Sequence, residues 1–133
     1  MLRSLRFLSL IACLAAAGCG PRPVTGGTPG MLRAAGEPLG DIQVTVHQVE
    51  AGSPRAIGFG VSAADGSFHL VMNEARGPLV LAPGEYRFTL ESAGAPVQIP
   101  TEYTQAETTP LAITLLESDK NLTLEIPVRF YTQ

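Results

Sequence analysis

The sequence predicts an all-β fold, a single antiparallel β-sandwich of about seven short strands, behind a signal peptide. Three observations carry that reading. Apolar and polar residues alternate with period two in segment after segment. Turn residues interrupt these runs at intervals of roughly ten residues, the rhythm of a sandwich. No stretch shows the 3.6-residue apolar repeat of an amphipathic helix. With 133 residues, the chain has room for one domain and not comfortably for two.

Residues 1–18 are set aside as a signal peptide. Arg3 and Arg6 give a basic start, and Phe7 to Gly18 supply an apolar run shorter than the roughly 20 residues a membrane-spanning helix needs. Ala16-Ala17-Gly18-Cys19 resembles a bacterial lipobox, in which small residues precede a cysteine that becomes the acylated first residue. The family usually has Leu where this chain has Ala16. Leu10-Ile11-Ala12-Cys13 fits that pattern better locally, but cleavage there would leave only Phe7 to Ala12 as the apolar core. Cys19 is therefore the expected lipidation site. No cysteine follows it, whereas a small secreted domain stapled by disulfides would carry an even set. Gly20 rather than Asp follows Cys19, which points to an outer membrane where the cell has one.

Residues 19–29 are rich in Pro and Gly, have little to bury, and read as a flexible tether. The domain is placed at residues 30–133. Met31 to Asp41 reads as a short strand and a turn. In Ile42 to Val49, Ile42, Val44 and Val46 alternate with Gln43, Thr45 and His47. Next, Ile57, Phe59 and Val61 share one face of a strand and Gly58 and Gly60 the other. Asp65-Gly66 is a hairpin turn signal, followed by Phe68, Leu70 and Met72 at alternate positions. Tyr86, Phe88 and Leu90 mark the following strand. The last two runs, Pro110 to Glu117 and Asn121 to Tyr131, are separated by Ser118-Asp119-Lys120 and read as a hairpin. Leu122, Leu124 and Ile126 face together, and Pro127 ends that strand or places it at an edge.

The order of these pieces is similar to a known family. Gly36-Glu37-Pro38-Leu39 leading to Val44, Asp65-Gly66-Ser67-Phe68, and Pro83-Gly84-Glu85-Tyr86 with Phe88 resemble the carboxypeptidase-regulatory-like, or transthyretin-like, β-sandwich. The likeness is nearer to small bacterial lipoproteins, common in planctomycetes, that carry this domain alone. It extends to Ile99-Pro100, Tyr103, Thr108-Thr109 and Leu111, and covers about residues 30–127. Ser62-Ala63-Ala64 departs from the usual Thr and Asp before the turn, and Arg129 to Gln133 run past the last expected strand. The resemblance implies an Ig-like sandwich with a non-catalytic role. One enzyme of this fold, hydroxyisourate hydrolase, would require a terminal Tyr-Arg-Gly-Ser, where this chain has Phe130-Tyr131-Thr132-Gln133.

Chemistry is sparse in the residues themselves. After residue 18, seven Lys and Arg stand against twelve Asp and Glu, a net charge of −5 without any basic cluster. Nucleic acid is thereby excluded as a partner. His47 and His69 would meet at a metal only if their strands were neighbours in one sheet; otherwise they are separate surface residues, and no metal or other cofactor is expected. Asp65 is assigned to bonding its own turn. Residues 99–111 read as a long connection between strands, with Tyr103 plugging the sandwich rim. That loop, through Tyr103, Glu102 and Glu107, is also the candidate contact for a ligand or partner. Sugar platforms favour flat aromatic faces, and there is no tryptophan and only three tyrosines.

The expected function is thus a lipid-anchored, exported envelope protein with a structural or protein-interaction role and no catalytic activity. Its partners would be the membrane, through Cys19, and an envelope protein or glycan. The alternative is a small-ligand or carbohydrate-binding module using the loop around Tyr103.

Overall fold

The computed structural model describes residues 24–132. The signal peptide, Cys13 and Cys19 lie outside the described residues. Eleven strand segments follow in order: β1 Pro29–Ala34, β2 Glu37–Pro38, β3 Ile42–Glu50, β4 Ser53–Val61, β5 Ser67–His69, β6 Val71–Met72, β7 Gly84–Ser92, β8 Val97–Gln98, β9 Ala112–Leu115, β10 Leu122–Ile126 and β11 Tyr131–Thr132. Segments β5 and β6 are one run of chain interrupted at Leu70. Counted together, and with the two-residue β2, β8 and β11 set aside, they leave the seven strands expected.

One sheet has the order β6-β4-β3-β7-β9 and is antiparallel throughout. In the other, β1 is flanked by β10 on one side and by β5 and β2 on the other. Its β1–β10 pair is parallel, an exception to the antiparallel pattern expected. A small β8–β11 ladder holds the terminal segment, Tyr131 against Gln98.

The alternating residues fill the space between the sheets. Ile42, Val44 and Val46 on β3, Tyr86, Phe88 and Leu90 on β7, and Leu122, Leu124 and Ile126 on β10 are all buried. Each large apolar side chain so buried contributes about 1.5–3 kcal/mol. In β4 the core side is the glycine side. Gly58 and Gly60 are buried opposite Val46 and Val44, whereas Val61 is 47% exposed. The cause is the run Ser67–Met72, which passes from the second sheet to the first and runs close over β4. A Cβ added at Gly60 would lie 2.7 Å from His69 O, and one at Gly58 would meet Val71 O. Hydrophobic periodicity shows which residues share a face; here backbone clearance decides which face turns inward.

Two expectations are corrected. Ser118–Lys120 does not join a hairpin, since β9 pairs with β7 and β10 with β1, so this link crosses from one sheet to the other. A polar turn sets a reversal of direction and not the sheet in which the chain continues. The folded body also begins before residue 30. Gly27 and Thr28 are buried, Thr28 N donates to Leu79 O at 2.9 Å, and its Oγ1 accepts from Leu81 N at 2.9 Å. A single hydroxyl that satisfies a buried amide turns the end of a Pro/Gly-rich stretch into part of the domain.

A glycine pair tests this packing. Gly60→Ala is expected to lose roughly 1–3 kcal/mol in urea unfolding, because its new methyl meets backbone. Gly77→Ala would meet only the end of the Met72 side chain, at 3.1 Å, and should stay within about 0.5 kcal/mol of wild type. Phe68→Ala, which empties a site 2% exposed, should cost about 3–5 kcal/mol.

Candidate functional site

The segment between β7 and β9 closes one side of the sandwich. Residues Thr101–Thr104 form a short 3-10 turn after Pro100, with Tyr103 N donating to Pro100 O at 3.0 Å. Tyr103 is the buried residue of that turn, 3% exposed, and its ring packs edge-on against Phe130, with 5.8 Å between centroids. Burial, helped by the nearby Glu102 carboxylate, raises the Tyr103 hydroxyl above its ordinary pKa. The loop is further pinned where Arg87 Nη1 donates to Ala106 O at 3.1 Å and Thr109 Oγ1 to Phe88 O at 2.7 Å. Thr108 Oγ1 reaches Glu102 O at 3.1 Å.

Of the three loop residues singled out in the sequence, Tyr103 is therefore a packed plug, while Glu102 and Glu107 remain exposed. The three do not converge on one cavity. Tyr86 also turns inward, its hydroxyl donating to Ala82 O at 2.6 Å. Tyr131, 83% exposed on β11, keeps an open ring.

The structure assembles a different cluster on the outer face of β3 and β7. His47 and Thr89 lie diagonally across the β3–β7 ladder, and His47 Nε2 shares a 2.9 Å hydrogen bond with Thr89 Oγ1. Desolvation lowers the His47 pKa from its ordinary 6.5, and the charge of Glu107 opposes that shift. The carboxylate whose charge reaches His47 is not the one nearest in sequence, Glu50, but Glu107, brought there by the fold of the loop sixty residues on. A hydroxyl, a neutral imidazole and a carboxylate are the types that make an activated nucleophile. Thr89 is only 9% exposed, however, and no hydrogen bond joins Glu107 to the imidazole among the described residues. What the geometry provides is a polar tie between β3 and β7, with the loop carboxylate acting on it through charge alone.

Beside this cluster runs an open groove of about 440 Å³, lined by Thr45, Thr89, Glu91, Val97, Gln98 and Thr104. Its lining mixes hydroxyl, carboxylate and amide groups with apolar side chains. The sequence had no local signal for it, because its walls come from β3, β7, β8 and the 3-10 turn.

His47 and His69 stand in different sheets, so they do not form a shared metal site. Among the described residues, no three His, Cys, Asp or Glu side chains group as metal ligands. Asp65 Oδ1 accepts from Ser67 N at 2.9 Å and Ser67 Oγ at 2.6 Å, and the Ser67 hydroxyl above all holds its carboxyl below the usual range. That is the turn role assigned from the sequence. Every buried side-chain polar atom among the described residues has a hydrogen-bond partner.

Compared with known proteins, the chain matches no family model, no curated protein and no solved structure.

The His47 environment fixes a sign for pH dependence. Burial makes the folded protein bind the His47 proton less tightly than the unfolded chain, so stability is lost as pH falls through 6.5. His47→Gln should flatten unfolding free energy between roughly pH 7 and 5, as measured by urea titration. Glu107→Gln removes the opposing charge and should lower the His47 midpoint further, read directly from imidazole NMR shifts. A midpoint unmoved by Glu107→Gln would separate the two residues.

Proposed function

We propose that the chain is an exported, lipid-anchored β-sandwich whose role in the cell envelope is structural or interactive and not catalytic. The observation that carries this is the cysteine pattern. Cys19 closes a basic, apolar, small-residue leader, and no cysteine occurs in the domain that follows. Two acyl signals or more give stable membrane attachment, at about 0.8 kcal/mol per buried methylene. The all-β body, held by its own apolar core without disulfides, supports a self-sufficient module behind such an anchor. The motif likeness to the carboxypeptidase-regulatory-like sandwich is part of this proposal. The sandwich seen in the structure is compatible with it. A non-catalytic role is supported by the burial of Thr89 and Tyr103 and by the exposure of Glu102 and Glu107, which leaves no desolvated acid–base pair at the loop.

A second reading, binding of a glycan or small polar ligand, is favoured by one observation: the groove beside Glu91 and Gln98. Its mixed polar and apolar walls suit a polyol, whose hydroxyls and C–H faces need both. This moves the ligand site of that reading from Tyr103, whose ring is covered, to the opposite side of the loop.

Cross-linking in intact cells, with wild type and Cys19→Ala, discriminates between them. Under the first reading, Cys19→Ala loses acyl-chain labelling and membrane retention, and one protein partner recurs with wild type alone. Under the second, the anchor behaves the same way but no protein recurs. Envelope glycan fragments then bind wild type, and Glu91→Gln with Gln98→Ala weakens them about tenfold, the effect of losing one charge-assisted hydrogen bond. Unchanged acylation and retention in Cys19→Ala would remove the anchor from both.

A further inference from the structure

Covalent geometry limits how far the sandwich can stand from an acylated Cys19, and the fold decides which end stands nearest. Five residues lead from Cys19 to Val24. Fully extended, at about 3.5 Å each, they span about 17 Å, less than the thickness of a bilayer's hydrocarbon core. The chain then joins the body beside Leu79 and Leu81, through the Thr28 bonds described above.

The β3–β4 turn lies at the same end, and two other segments cross it. Residues 80–83 cross it toward β7. Residues 116–121 cross it from β9 to β10, because Leu115 is opposite Gly84 and Leu122 is opposite Gly30 at the start of β1. Each carries a large aliphatic side chain on its outside: Val80, 70% exposed, and Leu116, 59% exposed. Their neighbours Leu81 and Leu115 are buried, so the outward pair is not needed to plug this end.

We infer that this end of the sandwich rests on the bilayer, with Val80 and Leu116 seated among the lipid headgroups. The inference depends on the lipid anchor proposed above and adds an orientation to it. The charges nearby select the type of surface. Glu117 and Asp119 stand against Lys120 on the 116–121 segment, Glu85 stands at the start of β7, and Glu50 and Arg55 pair at the β3–β4 turn, a net acidic balance that suits zwitterionic lipid and opposes anionic lipid. The opposite end carries Val61, Val128 and the Asp65–Gly66 turn. It faces away from the membrane, and with it the β7 end near Glu91 that borders the groove.

The test uses the full acylated chain bound to phosphatidylcholine vesicles, with the environment-sensitive dye NBD attached at Val80→Cys, Leu116→Cys or Val128→Cys. In the processed chain each introduced cysteine is the one free thiol, since Cys13 leaves with the signal peptide and Cys19 is alkylated. Vesicle flotation reports the anchor, and quenching by lipids brominated on the acyl chains reports orientation. The expected result is flotation of all three, with quenching at positions 80 and 116 about twofold or more above that at 128, as befits groups near the headgroup–acyl boundary. Replacing part of the lipid by phosphatidylglycerol should shrink that difference. Flotation with equal quenching at all three positions, or more at 128, overturns the orientation and leaves the anchor standing. Failure to float overturns the anchor, and the orientation with it.

Discussion

Leu70 sits where one run of chain changes sheets, and the rest of the structure depends on that crossing. Ser67–His69 pairs with β1, Val71–Met72 pairs with β4, and the fully buried Leu70 between them belongs to neither ladder. Its amide donates to Thr28 O and its carbonyl accepts from Leu79 N, both at 3.0 Å. A buried backbone without such partners would cost a few kcal/mol. The crossing thus requires a segment on each side to supply what a sheet would have supplied. It also requires bare backbone facing it, which is why the inward side of β4 holds glycine where β3 and β7 in the same sheet hold valine, phenylalanine and leucine. Joining the two sheets by continuous chain fixes their separation, and the Phe68 ring fills the space so defined.

The side of the sandwich opposite β6 is closed by different means. There β9 pairs only with the first half of β7, and the second half is covered by the loop that bears Tyr103. Hydrogen bonds from Arg87 and Thr109, the Tyr103–Phe130 edge contact and the β8–β11 ladder tie that loop to strands distant in sequence. The open groove and the His47–Thr89 pair are by-products of this arrangement, since both lie where the loop meets the outer face of the sheet. Polar chemistry gathers at a border where sheet pairing is incomplete.

Much of this was legible in the residues. Strict alternation in β3, β7 and β10 identifies both their existence and their buried faces, because a period of two admits one inward set. The plug role of Tyr103 was readable from an aromatic residue in an otherwise polar connection. Three things were not. Partner choice for β9 and β10 depends on which sheet has a free edge, a global property that no turn sequence encodes. The inward glycines of β4 are invisible to a hydrophobic pattern, which counts them as gaps. The approach of Glu107 to His47 needs the loop's path, set by hydrogen bonds to backbone that any residue could accept. Ser62 gave no signal either: its buried hydroxyl accepts from Ile42 N at 3.1 Å.

The parallel pairing of β1 with β10 also orders events in time. The first strand of the domain finds that neighbour only after about ninety residues more have emerged, and closing so long a loop is slow and entropically unfavourable. The β3–β4 and β3–β7 ladders join segments much nearer in sequence and can form while the remainder of the chain is still arriving. A chain that emerges amino end first therefore keeps its leading strand unfinished until the trailing one has followed, and the sandwich closes last where its two sequence ends meet.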